Sequence, residues 1–214
     1  MLEERLKRHM DLLLDRYGIL RGVEKQITDA YRILEECFLH DGKLLIAGNG
    51  GSAADSEHMA GELMKRFKKP RPVTEELAEK MKELDGVRGE RLSKILERGL
   101  MTIPLSAQES LMTAYMNDVD SLGVFAQQVL GYGRKGDVFL GISTSGNSQN
   151  ILYAAVAARA LEIRVIGLTG AGGGELAAAC DAAIVVPETE TYRIQELHVL
   201  IYHCLCLMLE ERFF

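Results

Sequence analysis

The sequence predicts an α/β fold, a parallel sheet held between helices in a three-layer αβα sandwich of the doubly wound, flavodoxin-like kind, with an N-terminal helical arm and a helical insertion. Three observations predict it. Short apolar runs recur at Leu44-Leu45-Ile46-Ala47, Val138-Phe139-Leu140-Gly141-Ile142, Arg164-Val165-Ile166-Gly167-Leu168 and Ala183-Ile184-Val185-Val186, as strands buried on both faces require. The first three each break into a turn rich in glycine or hydroxyls. Helix-period segments lie between them, so strand and helix alternate to the end of the chain.

Taken in order, residues 1–40 carry Leu2, Leu6, Met10, Leu13, Tyr17, then Ile27, Tyr31, Leu34 and Phe38 at spacings of three and four, an amphipathic helix broken near Gly18 and Gly22. This arm is expected to pack partly against another subunit; the alternative is a cap within one chain. The remainder, 41–214, forms the main domain. After its first strand come Gly48-Asn49-Gly50-Gly51-Ser52 and a helix through Glu62. The basic run Lys65-Arg66-Phe67-Lys68-Lys69-Pro70-Arg71-Pro72 reads as a solvated linker. Residues 74–98 read as two short charged helices hinged at Asp85-Gly86, an excursion from the sheet. Met101–Leu105 is a strand that Pro104 confines to an edge. Helices follow to Asn117-Asp118 and from Ser121 to Leu130. A helix from Asn150 to Leu161, a glycine turn at 170–174, a short helix, and a long apolar helix from Gln195 to Glu211 complete the pattern.

A chain of 214 residues with 47% apolar residues supports one domain with a substantial core, and its composition excludes disorder. A formal charge of −6 argues against nucleic acid or an anionic membrane as the main partner. The start Met1-Leu2-Glu3-Glu4-Arg5 lacks a signal-peptide h-region and no apolar run reaches membrane-spanning length, so a cytoplasmic location is expected. Cys37, Cys180, Cys204 and Cys206 sit in apolar patterns without C-x-x-C pairing and are expected to be reduced, buried thiols.

Two loops carry chemistry. In the first, glycines let backbone N–H groups approach a ligand at a helix start, where an anion or a set of hydroxyls fits. It has neither dinucleotide nor P-loop spacing. One turn on, His58 and Glu62 share a helix face. The second loop, Ser143-Thr144-Ser145-Gly146-Asn147-Ser148, offers four hydroxyls at another helix start, the donors a phosphate monoester needs when no Lys or Arg is used; the alternative is helix capping. Both follow strands, and so open on one edge of the sheet. In the last helix, Gln195 and His203 project toward one side, while His198 reads as a packed, hydrogen-bonded core histidine.

The strings GNGGSAADSEHMAGEL, GISTSGNSQNILYA and RIQELHVLIYH closely resemble the sugar isomerase (SIS) domain family and, within it, the phosphoheptose isomerases, which convert sedoheptulose 7-phosphate to D-glycero-D-manno-heptose 7-phosphate. The resemblance covers most of residues 30–210 apart from the excursion. It implies a phosphosugar-binding domain with a phosphate loop at Ser143, Thr144, Ser145 and Ser148, sugar contacts from Asn49, Gly50, Gly51 and Ser52, and a further pair at Asn117 and Asp118. It also implies zinc ligands and acid/base residues at His58, Glu62, Gln195 and His203, and a homotetramer with sites at subunit interfaces. Glu62 is the candidate for carbon-proton transfer through an enediol, and His203 for proton movement on oxygen. The excursion at 74–98, Met116 before Asn117-Asp118, and Tyr192 beside Arg-Ile-Gln depart from the family pattern. A non-catalytic SIS protein that binds a sugar phosphate or a protein partner is the alternative.

Overall fold

The computed structural model describes residues 3–214; Leu2, placed above in the first apolar stripe, lies outside them. Five parallel strands form one sheet: β1 (Leu44–Gly48), β2 (Thr102–Pro104), β3 (Val138–Ile142), β4 (Arg164–Thr169) and β5 (Ala182–Val185), in the order β2-β1-β3-β4-β5. Strand order reverses between β1 and β3, the point at which doubly wound sheets bind ligands. Their register pairs Leu44 with Val138 and Gly48 with Ile142, so the loops leaving both strands start side by side.

Among the described residues ten helices surround the sheet: α1 (Glu4–Arg16), α2 (Glu24–Leu39), α3 (Gly51–Met64), α4 (Glu75–Leu84), α5 (Gly86–Ile95), α6 (Glu109–Asp118), α7 (Val124–Tyr132), α8 (Gln149–Ala160), α9 (Gly174–Ala179) and α10 (Thr191–Phe213). A 3-10 turn at Gly18–Val23 separates α1 from α2, where two glycines weaken the helix. Alternation along the strands divides the core. Leu44, Ile46, Val138, Leu140, Ile166 and Leu168 face α1, α2, α3 and α10, whereas Leu45, Ala47, Phe139 and Val165 face α7, α8 and α9. Buried Asp137 joins the starts of β1 and β3, accepting from the Lys43 amide at 3.0 Å and from Lys43 Nζ at 2.6 Å. At the β5 edge, the Gln26 side chain accepts the Val185 N–H at 2.9 Å.

The apolar stripe of α1 is covered largely within the chain: Leu6, Met10, Leu13 and Leu14 are buried in the core shared with α10. Leu12 remains 63% exposed. The excursion folds as the hinge residues predict, with the Asp85 carboxylate accepting the Val87 and Arg88 N–H groups to cap α5. An isolated antiparallel bridge, Pro72 to Glu97, closes its base. Cys37, Cys204 and Cys206 are buried, Cys180 is half-buried, and all four are free thiols. No helix among the described residues is long and apolar enough to cross a membrane.

The basic segment is a correction. Arg71 is fully buried, not solvated, because Glu210 on α10 neutralises it at 2.9 Å.

Candidate active site

At the switch point, β1 ends on Gly48 and α3 begins at Gly51. The turn between them needs a left-handed residue, supplied by Gly50 at φ +55°. A Cβ on Gly51 would stand 2.5 Å from Gln195 Nε2, so a glycine there lets the start of α10 close on the start of α3. After β3, the buried Ser143 hydroxyl lies 3.0 Å from that of Ser148, the residue preceding α8. Asn49 and Asn150 exchange amide hydrogen bonds of 3.0 and 2.9 Å, clasping the two loops together. Between them lies a cavity of about 310 Å³, lined by Asn49, Gly50, Gly51, Ser52, Ile142, Ser143, Thr144, Ser148, Thr191 and Gln195. None of these is a Lys or Arg. Hydroxyls and the N–H groups at the start of α8 are its donors, a set suited to an oxyanion.

From Gly51 and Gln195 the seam between α3 and α10 leads to the titratable residues. The His58 and His203 rings meet edge to face at 5.0 Å, and His58 Nε2 is 3.6 Å from Glu62 Oε1. Behind them, Tyr202 donates to Asp55 Oδ1 at 3.2 Å, and its oxygen is 2.9 Å from His58 Nδ1. With the phenol proton directed to Asp55, the Tyr202 oxygen is left to accept from His58 Nδ1. Burial pushes the Asp55 carboxyl up, opposed by the Tyr202 hydrogen bond and by His58. Burial and neighbouring His58 lower the His203 pKa against the opposing pull of Glu62, so His203 stands neutral near pH 7. Its Nε2 is buried without a hydrogen-bond partner.

The residues expected from sequence therefore divide. Asn49, Gly50, Gly51, Ser52, Ser143, Thr144, Ser148 and Gln195 share the cavity, and His58, Glu62 and His203 share the seam. Ser145 points elsewhere: its hydroxyl accepts the Asn147 N–H at 3.1 Å, closing the turn. Asn117 and Asp118 do not join the cavity. They are exposed in the last turn of α6, bonded to one another at 2.8 Å. His198 is packed as expected, yet both ring nitrogens lack a hydrogen-bond partner. Among the described residues no three His, Cys, Asp or Glu side chains are arranged to hold a metal ion. The donor types of His58, Glu62 and His203 are nevertheless those zinc takes, and the unpartnered His203 Nε2 fits one. Gln195 lies at the cavity, against Gly51.

A SIS domain family model matches residues 18–114 and 90–170. The phosphoheptose isomerase of Helicobacter hepaticus is 40% identical over 211 residues, 99% of this chain and 92% of that relative. The chain belongs to the SIS domain family, in its phosphoheptose isomerase branch. Another member, from Nitratiruptor sp., is 43% identical over 87% of this chain and 86% of its own. Solved phosphoheptose isomerases share the fold. That of Neisseria gonorrhoeae superposes with a TM-score of 0.74 at 33% identity, over 99% of this chain and 100% of that one. That of Francisella tularensis gives 0.75 at 28% identity, over 97% of each chain.

Within this SIS frame, five side chains were not anticipated: Asp55, Tyr202, Asn150, Thr191 and Glu210, the carboxylate that pairs with Arg71. A signal existed for one. Glu210 follows His203 by seven residues and so lies on the same face of an otherwise apolar stretch of helix. Asp55 and Tyr202 meet across 147 positions, a contact that no local spacing encodes.

Proposed function

We propose that this chain interconverts a ketose phosphate and an aldose phosphate, with sedoheptulose 7-phosphate and D-glycero-D-manno-heptose 7-phosphate as the pair. The observation that carries this reading is that Glu62 and His203 both stand against His58, at 3.6 Å and at a ring separation of 5.0 Å, on a seam that starts at a hydroxyl-lined cavity. In this reading the phosphate takes the hydroxyls of Ser143, Thr144 and Ser148 and the amides at the start of α8. Gln195 and His203 are eight residues apart on α10, about 12 Å along its axis, so an extended seven-carbon phosphate spans from the cavity toward Glu62.

The chemistry follows from these groups. The Glu62 carboxylate removes a proton from C1 of the ketose and returns it to C2, while the bonding electrons pass through an enediol. Neutral His203 carries the matching proton between O2 and O1. Asp55 and Tyr202 hold the His58 ring in place. His58, Glu62 and His203 would hold zinc, and the bound ion would polarise the carbonyl and stabilise the enediolate; Gln195, packed against Gly51 at the cavity, is left to the substrate. A tightly ligated Glu62 is a weaker base, so zinc binding and proton transfer compete for it.

The arm supports an oligomer with sites at subunit interfaces. A groove of about 690 Å³ runs between α1 and α10, lined by Leu12, Leu13, Tyr17, Leu200 and Leu207 among others, and His203 lies on it. A second copy seated there would close the site from outside, and a homotetramer is the assembly proposed. Glu62→Gln tests the catalytic reading. It should lower kcat by about 10³-fold and leave KM nearly unchanged; wild-type kcat in this variant removes Glu62 from proton transfer.

A further inference from the structure

The seam between α3 and α10 continues past His203. After Glu62, α3 ends at Met64, and the chain turns back into the interior at Arg71, the largest fully buried side chain among the described residues. Its partner Glu210 is equally buried, at side-chain exposures of 0% and 2%. A buried ion pair is stable only when the remaining donors and lone pairs are also satisfied. Here Arg71 Nε donates to Glu210 Oε1 at 3.0 Å, Nη1 to the Leu63 carbonyl at 2.7 Å, and Nη2 to the Glu62 carbonyl at 3.0 Å. Glu210 in turn accepts the Phe67 and Lys68 N–H groups, each at 2.8 Å.

Neither residue lines the cavity, yet the pair grips both sides of the reacting end. Carbonyls in the last turn of a helix lack intrahelical partners; Arg71 supplies one at Glu62 and joins the Leu100 N–H, at 2.9 Å, on Leu63. Glu210 anchors the backbone of Phe67, whose ring centroid lies 5.4 Å from that of His203. One pair therefore fixes the backbone beneath the carboxylate and the wall beside the imidazole. We infer that Arg71 and Glu210 are positioning residues that hold Glu62 and His203 in register for proton transfer, an inference that rests on the site assignment above. A pair retained for stability alone can be exchanged for two apolar residues of similar size with activity intact. A positioning pair cannot.

The test measures kcat, KM and Tm with sedoheptulose 7-phosphate for Arg71→Met/Glu210→Leu, Arg71→Lys and, in parallel, Glu62→Gln. The double variant should melt close to wild type and keep KM within about twofold, while kcat falls by about tenfold or more, since small misplacements of reacting groups are that costly. Arg71→Lys retains the charge facing Glu210, but a single ammonium cannot replace the guanidinium fork at two carbonyls and a carboxylate. It should therefore remain folded and also lose kcat rather than KM, which keeps the test decisive if the double variant does not fold. Wild-type kcat in a folded Arg71→Lys, with Glu62→Gln inactive, overturns the positioning role alone. Wild-type kcat in Glu62→Gln overturns the site assignment and the inference together.

Discussion

Ser145 and Ser148 stand three residues apart in one loop, and the structure gives them different work. Ser148 lines the cavity, whereas the Ser145 hydroxyl closes a turn. Sequence alone grouped them as four equivalent donors, because composition does not reveal which way a hydroxyl rotates. Ser148→Ala should raise KM for the phosphorylated sugar about tenfold, the loss of roughly 1.4 kcal/mol expected for a hydrogen bond to a charged group, with kcat little changed. Ser145→Ala should move KM less; the opposite ranking in steady-state kinetics would contradict the cavity assignment. His198 makes a second prediction at this scale. Burial pushes its pKa from 6.5 down to about 4. Below pH 6.5 the unfolded chain therefore takes up a proton that the folded chain refuses. Its contribution to stability is complete above pH 6.5 and is lost as pH falls toward 4, by about 3 kcal/mol over the full window. Wild-type Tm should drop between pH 7 and 5 by more than that of His198→Leu, and parallel Tm curves would contradict this.

The elements were largely legible, and the reasons are local. Pro104 confined β2 to the sheet edge, and Asp85-Gly86 placed the hinge between α4 and α5, because proline chemistry and helix capping act within a few residues. What escaped was long-range. Arg71 read as part of a solvated basic run because its neutralising partner lies 139 positions away. The tie of Tyr202 to Asp55 is likewise invisible to local pattern. The excursion shows the converse. In α4 and α5 only Gly89 is buried, so the pair contributes little to the core. The Pro72–Glu97 bridge holds its ends together. Replacing residues 74–95 with a two-glycine loop should leave Tm within about 5 °C of wild type; a larger fall in a thermal melt would give these helices a structural role that their exposure does not support.

For the whole molecule, composition and alternation foretold a parallel three-layer sandwich but not the strand order, since sequence names the strands without naming their neighbours. The order β2-β1-β3-β4-β5 brings the loops after β1 and β3 together, and the packing of α3 against α10 carries the site from that cavity to Glu62 and His203. The prediction that matters at this scale is chemical. Purified protein is incubated with sedoheptulose 7-phosphate, with and without added zinc, and the sugar is followed by proton NMR. Growth of the anomeric signals of the heptose 7-phosphate aldose at the expense of the ketose is the predicted result; a ketose spectrum unchanged in both conditions would contradict it.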